Sequence, residues 1–157
     1  MKKVLKISLI IIGILILSAP IVCYSAIVIT NNCIADSIEK DLKNYALPSD
    51  TKIIETTSIA GKFSGNGNGM QYAGILLVES PLSKEELQKH YEKSFEYVEV
   101  RNQTSQKLDF ELNEYSFRKF DKIESGSAYS IVCYDTKDTI YDNDTLKTIL
   151  NLDLRGH

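Results

Sequence analysis

The stretch ISLIIIGILILSAPIVCYSAIVI, residues 7–29, decides how this chain is organised. Its 23 residues carry no charge, and Ile and Leu dominate them. At about 1.5 Å of rise per residue, a helix of this length spans a hydrocarbon core of about 30 Å with some tilt. A core helix of a soluble protein has a polar face, whereas this one is apolar all round. The stretch therefore predicts a transmembrane helix, within which Pro20 is tolerated.

The charges that flank this helix predict its orientation. Lys2, Lys3 and Lys6 precede it, and no Asp or Glu occurs before Asp36. Positive residues next to a membrane span stay on the cytoplasmic side. We therefore expect residues 1–30 to form a cytoplasmic tip and an uncleaved signal anchor in the lipid bilayer, with the rest of the chain outside the cytoplasm.

Two other interpretations of the N-terminus stay open. A cleaved signal peptide fits the charged start, but its apolar core is roughly 7–15 residues long, and a small-x-small cleavage site is poor because Tyr24 lies two residues before Ala26. A lipoprotein would be modified at Cys23, but the larger Ile21 and Val22 precede that cysteine. The uncleaved anchor is the interpretation that we carry forward.

The apolar helix is predicted to continue outward as a stalk over residues 31–48. Within it, four apolar side chains recur at spacings of four, four and three residues, which places them on one face of a helix. These side chains are Ile34, Ile38, Leu42 and Tyr45. Pro48 ends the helix, and the apolar stripe is expected to pack on the domain that follows.

Residues 49–157 are predicted to fold as one extracytoplasmic α+β domain. Runs rich in apolar, β-branched and aromatic residues predict a mostly antiparallel sheet. These runs lie at residues 51–59, 70–79, 97–100, 108–112, 115–119 and 128–134. Helices are expected from Ser83 to about Phe95 and briefly after Thr145. One or two of them should pack on one face of the sheet.

The helix that starts at Ser83 carries the clearest local signal. Ser83 and Glu86 have the spacing of a capping box, in which each side chain bonds the backbone amide of the other residue. Leu82 and Leu87 occupy the two positions of a hydrophobic staple. This pattern fixes the start of the helix.

Composition excludes several classes of function. Residues 31–157 carry 15 basic and 21 acidic side chains, a formal charge of −6, which argues against a nucleic-acid partner. With two histidines and no recognisable catalytic constellation, hydrolytic chemistry is not indicated. The acidic stretch 135–144 lacks the central Gly and terminal Glu of a helix–loop–helix calcium site. We therefore predict no metal and no cofactor.

Two segments are candidate ligand-binding sites. Asn66 and Asn68 lie in a Gly/Asn-rich loop whose backbone amides could hold an anion, although a plain turn explains the same residues. Asp153, Arg155 and His157 group an acid, a guanidinium and an imidazole at the end of the sequence. If the residue between the first two were buried on an edge strand, both would share the opposite face and could bind a carboxylate. A surface ion pair worth ~0–1 kcal/mol is the alternative.

Cys33 and Cys133 would both lie outside the cytoplasm, where disulfides persist. A bridge would close a loop of about 100 residues, and two buried thiols without a bridge are the alternative. Strand alternation puts Cys133 on the same face as Tyr129 and Ile131. If that face lies under the stalk helix, the apolar stripe of the stalk covers it.

Several of these segments together resemble a family of small membrane-anchored proteins of Gram-positive bacteria. The likeness covers roughly residues 36–157. Its most distinctive parts are the Asn-Gly run and the Asp-Leu-Arg-Gly-His ending, and the others are Lys52–Thr57, Gly61-Lys62 and the helix around Leu82–Leu87. The resemblance implies an extracytoplasmic domain behind an anchor and brings no activity with it.

The sequence leads to a non-enzymatic binding or sensory module on the outer face of the membrane, with an unidentified ligand. Two alternatives stay open. The protein could be an accessory structural subunit of an envelope complex, whose anchor packs on partner helices. It could also be an enzyme with an unrecognised site near the C-terminus.

Overall fold

The computed structural model describes residues 2–63, 69–110, 114–123, 127–134 and 144–155. The predicted α+β fold is confirmed. The helices are α1 (Lys2–Asn44), α2 (Lys84–Tyr91) and α3 (Asp144–Leu150), with a short 3-10 turn at Phe120–Lys122. The strands are β1 (Lys52–Gly61), β2 (Gln71–Glu79), β3 (Val98–Asn102), β4 (Lys107–Asp109), β5 (Glu114–Ser116) and β6 (Ala128–Tyr134).

Four strands form one antiparallel sheet in the order β1-β2-β6-β3. The remaining two strands, β4 and β5, form a separate antiparallel pair. β1 and β2 follow each other in the chain and pair from Lys52 with Glu79 to Gly61 with Gln71. The strands on either side of the Gly/Asn-rich segment are therefore paired with each other, and residues 64–68 between them lie outside the described residues.

Alternate side chains of β2 serve two different cores. Tyr72, Leu76 and Val78 pack under the helices, while Ile75 and Leu77 pack on the opposite face. That opposite core is completed by Phe63, Ala73, Leu108, Phe117 and Val132. Because successive side chains of a strand point to opposite faces, a nearly continuous apolar run marks a strand that is buried on both sides.

α1 is both the apolar N-terminal helix and part of the domain's core. The helix continues through Pro20 and ends at Asn44. Its last three turns bury Ile34, Ile38 and Leu42 in the same core as the sheet, as the stripe predicted. Residues 31–44 are therefore built into the domain, and no linker separates the domain from the apolar half of the helix.

The backbone of α1 lies very close to the sheet at Gly74 in β2. A Cβ atom on this glycine would lie 2.5 Å from the backbone nitrogen of Glu39 and 2.8 Å from the carbonyl carbon of Ile38. No side chain fits in this space. Gly74 thus lets the helix backbone lie directly on the strand, a role that a glycine inside a strand often has.

The predicted capping box at the start of α2 is confirmed. The Ser83 amide donates to a Glu86 carboxylate oxygen at 2.8 Å, and the Ser83 hydroxyl accepts from the Glu86 amide at 3.3 Å. The bonds from the Ser83 amide and hydroxyl lower the pKa of the Glu86 carboxyl. The helix ends at Tyr91, one turn before the predicted end, and Phe95 follows as a partly buried loop residue.

The disulfide between Cys33 and Cys133 is not formed. Cys133 shares a face of β6 with Tyr129 and Ile131, as predicted, and the structure shows that this face lies under α1, where Cys133 is buried in the core. Cys33 is exposed. One residue is about 100° of rotation around a helix, so with Ile34 turned toward the sheet, Cys33 points away from it.

We expect Gly74→Ala to destabilise the folded domain by about 1–3 kcal/mol, because the added methyl group overlaps the α1 backbone. Thermal unfolding of the full chain in detergent measures the change. Gly13→Ala is the matched control, since a Cβ there meets no atom within 4 Å. Equal melting temperatures for both variants would contradict the close contact.

Ser83→Ala is expected to cost about 1 kcal/mol of stability through loss of the helix cap. The same unfolding measurement applies. Ser94→Ala is the control, because Ser94 is an exposed serine beyond the end of α2. An unchanged melting temperature in Ser83→Ala would show that the cap does not stabilise this helix.

Candidate functional site

The structure tests part of the site predicted from the sequence. Asn66, Asn68 and His157 lie outside the described residues. Asp153 and Arg155 are described, and both follow α3 near the end of the chain. Their surroundings are not those of the predicted edge strand.

Asp153 is buried, with a side chain that is 0% exposed. One carboxylate oxygen, Oδ2, accepts from Nη2 of Arg155 at 2.6 Å and from Nδ2 of Asn31 at 2.8 Å. The other, Oδ1, accepts from the backbone amide and from Nε of Arg155, at 3.2 and 3.0 Å. The shared outward face of Asp153 and Arg155 required a buried Leu154, but Leu154 is exposed. The pattern is reversed because Asp153 turns inward to bond with α1.

Asn31 connects this ion pair to the sheet. It is fully buried, and its Oδ1 accepts from the hydroxyl of Tyr72 at 2.6 Å. Its Nδ2 donates to the carbonyl of Leu150, at the end of α3, as well as to Asp153. One side chain of α1 therefore bonds to β2, to α3 and to the C-terminal segment.

Arg155 extends the same set of bonds along α1. Its Nη1 donates to Oδ1 of Asn32 at 2.7 Å, and its Nη2 lies 3.5 Å from the carbonyl oxygen of Val28. The side chain of Arg155 is 36% exposed. We call Asn31, Tyr72, Asp153 and Arg155 the C-terminal network, which holds the chain end against the helix turn where the apolar run stops.

The electrostatics of the network favour the charged pair. Burial alone would raise the pKa of Asp153, but the hydrogen bonds from Arg155 and Asn31 outweigh it and lower the pKa to about 2. The bond to Asp153 also raises the pKa of Arg155. A buried charge is tolerated only when it is paired and hydrogen-bonded, and Asp153 meets both conditions.

Asn31 and Tyr72 were not predicted from the sequence to be part of the site. A signal for Asn31 was present, because it precedes Ile34 and Ile38 at helical spacing on the buried stripe of α1. A polar residue on an apolar stripe indicates a buried hydrogen-bond partner. The partner itself, 122 residues away, could not be identified from spacing.

Residues that flank the two predicted candidate segments are joined by one backbone-to-side-chain hydrogen bond. The amide of Met70, just after the Gly/Asn run, donates to Oδ1 of Asn151 at 2.8 Å. The flank of this loop and the C-terminal segment therefore lie together at the end of the sheet where α1 leaves the domain. Ligand binding by the asparagines of the loop and by Asp153 and Arg155 stays a prediction. The contacts observed for the latter two residues are internal.

A second group of side chains lies at the other end of α1. The hydroxyl of Tyr45 donates to the carbonyl of His90, and Nε2 of His90 lies 2.7 Å from the carbonyl oxygen of Ala46. His90 is half-buried. Tyr91 is buried beside them, and burial, followed by the proximity of Tyr45, raises its pKa to about 12. These contacts fasten α2 to the end of α1.

A polar cleft of about 240 Å³ lies between β3 and β4. Arg101, one of the charged residues that line it, bonds to Glu99 at 2.6 Å and to the carbonyl of Asp109 at 2.9 Å. The same guanidinium lies 5.8 Å from the centre of the Phe110 ring. Arg101 therefore joins β3 to the β4 hairpin. Within the described ranges, no three His, Cys, Asp or Glu side chains form a potential metal site.

Comparison of the chain with protein-family models, with curated proteins and with solved structures finds no match. The function of the protein is therefore inferred from the apolar helix, the C-terminal network and the surfaces around them.

We expect Asp153→Asn to destabilise the domain by about 1–3 kcal/mol at neutral pH, because it removes the charge from a buried bonded pair. The pKa of Asp153 is lower in the folded chain, so the carboxylate stabilises the fold above its ordinary pKa of 3.8. This contribution is lost as the pH falls towards about 2.

Unfolding of the full chain in detergent at a series of pH values measures this difference. The gap in stability between the wild type and Asp153→Asn should be constant above the ordinary pKa and close in more acid solution. Glu114→Gln, in the exposed pair with Lys107, is the control and should change stability little. A gap independent of pH would contradict the role given to Asp153.

Proposed function

We propose that this protein is a single-pass membrane protein whose extracytoplasmic domain is a non-enzymatic binding or sensory module. The observation that carries the proposal is the continuity of α1, which is long and apolar enough to cross a bilayer and whose last three turns belong to the domain's core. The domain is thereby joined rigidly to the segment proposed to span the membrane. A module joined in this way presents its outer surface at a fixed height above the membrane.

The polar groups of the apolar helix support a membrane environment. Ser18 donates to the carbonyl of Leu15, and Ser25 donates to the carbonyl of Ile21. Lipid offers no hydrogen bonds, so hydroxyls in a span have to be satisfied within the helix. The rest of the chain does not bury the apolar part of α1. The surface of this part of the helix is therefore available to lipid.

The proposed orientation rests on the lysines that precede the span, because basic residues stay on the cytoplasmic side. A domain outside the cytoplasm also agrees with the resemblance to membrane-anchored proteins of Gram-positive bacteria. The absence of enzymatic activity is proposed from the sequence, which holds no recognisable catalytic constellation, and from the role of Asp153, whose pKa is lowered by bonds within the protein. Asp153 is used to close the fold.

An accessory subunit of an envelope complex is the second candidate. The observation that favours it is the same unburied apolar helix, which could pack on partner helices as well as on lipid. Gentle solubilisation followed by crosslinking and mass spectrometry distinguishes the two candidates. A stoichiometric integral membrane partner would support the subunit role, and a chain recovered alone would support the independent module.

Thiol labelling tests the orientation. Cys33 is exposed just beyond the apolar run, whereas Cys133 is buried. In intact cells, a membrane-impermeant maleimide should therefore label the wild type at Cys33. It should leave Cys33→Ser unlabelled until the protein is denatured. Cys33→Ser with Lys3→Cys should become labelled only after the membrane is permeabilised.

Lys84→Cys in the Cys33→Ser background is a second outer reporter, since Lys84 is exposed and far from the span in the sequence. Labelling of this reporter only after permeabilisation would overturn the proposed orientation. Release of the labelled domain into the medium without its N-terminus would instead indicate a cleaved signal peptide.

A further inference from the structure

The C-terminal segment exposes an unusual amount of apolar surface. Within nine residues, four large aliphatic side chains are exposed, by between 37% and 67% of their surface. They are Leu146, Ile149, Leu152 and Leu154, and we call them the C-terminal apolar surface. Single exposed leucines are ordinary, but a contiguous group in a short segment marks an interaction site.

The C-terminal network fixes where this surface lies. Asn31 bonds to the carbonyl of Leu150, between the two halves of the surface. Arg155, next to Leu154, reaches the carbonyl of Val28 and the side chain of Asn32. Val28 belongs to the last turn of the apolar run, so the surface is held beside α1 at the level where the run ends.

We infer that the C-terminal apolar surface rests on the outer leaflet of the bilayer and forms a second membrane contact beside the span. The inference depends on the proposed function, because it requires α1 to cross the membrane. With residues 7–29 in the hydrocarbon core, the turn that holds Arg155 lies at the boundary between the acyl chains and the headgroups. Aliphatic side chains at this level are buried in the interface, as those of interfacial amphipathic segments are.

Lipid is the occupant that the contacts favour. The surface is continuous with the span through Arg155, so any bilayer that surrounds the end of the span also meets the leucines beside it. Arg155, which follows Leu154 in the chain, has its charge neutralised because it is paired with Asp153 at 2.6 Å. This pair can therefore lie at the interface without an unmatched charge. A soluble partner would have to reach a surface that the headgroups cover.

Tryptophan reporters test this contact, because the chain contains no tryptophan. Leu152→Trp and Leu154→Trp each replace an exposed leucine of the surface. Leu47→Trp is the matched control, since Leu47 is 40% exposed but follows the far end of α1. Ile16→Trp, in the middle of the apolar run, reports on the span. Each full-length variant is reconstituted into two kinds of phosphatidylcholine vesicle. One carries lipids brominated near the carbonyl end of the acyl chains, and the other carries lipids brominated near their methyl end.

We expect lipids brominated near the carbonyl end to quench the tryptophan fluorescence of Leu152→Trp and Leu154→Trp. The emission of both variants should be blue-shifted relative to that of Leu47→Trp, which should stay unquenched. Suppose that lipids brominated near the methyl end quench Ile16→Trp, while neither C-terminal position is quenched. This result would overturn the second contact and leave the anchor intact. Failure to quench Ile16→Trp would overturn the anchor itself. Blue-shifted C-terminal reporters that lipid does not quench would indicate contact with protein and would also reject this inference.

Discussion

The fold depends on the backbone contact between α1 and β2 at Gly74. Helices normally pack on sheets through side chains, but here the space for a Cβ at this glycine is taken by the main chain of Glu39 and Ile38. The contact lowers α1 onto the sheet and brings Ile38 and Leu42 into the core. Burial of each such side chain contributes roughly 1.5–3 kcal/mol. Because α1 is also the apolar N-terminal helix, one glycine sets how the whole domain stands on it.

The C-terminal network is the polar counterpart of this contact. Where α1 leaves the domain, an apolar stripe gives way to Asn31, which bonds to Tyr72 of β2 and to Asp153. A buried ion pair contributes little net stability compared with apolar packing, but breaking it is costly. We therefore interpret the network as a device that selects one placement of the chain end against α1. The placement matters because it aligns the leucines beside the ion pair with the end of the apolar run.

In the proposed single-pass arrangement, the position of the domain relative to the membrane would be constrained in two ways. The continuous helix would fix the height of the domain, and a second contact through the C-terminal apolar surface would fix its rotation and tilt. Without that second contact, the domain would stand on a single helix, which can tilt and rotate in the bilayer. The proposed binding or sensory module would benefit from a fixed orientation, since its outer face would then be presented to every partner in the same way.

The sequence by itself determined the local structure. The uncharged run at residues 7–29, the stripe of Ile34, Ile38 and Leu42, and the capping box at Ser83 are patterns of short range, and each predicted its helix correctly. Alternation along the chain also grouped Cys133 with Tyr129 and Ile131 on one face of its strand, and only the structure showed that this face lies under α1. Only tertiary structure could decide the pairs that join distant segments. From the sequence, Asp153 was expected at the surface, because the amide that bonds to it in the core belongs to Asn31, far away in the sequence. Cys33 does not meet Cys133, because the contact at Gly74 sets the rotation of the helix. Local periodicity encodes which face of an element is apolar, whereas the partner of a buried polar group is fixed only when the elements pack.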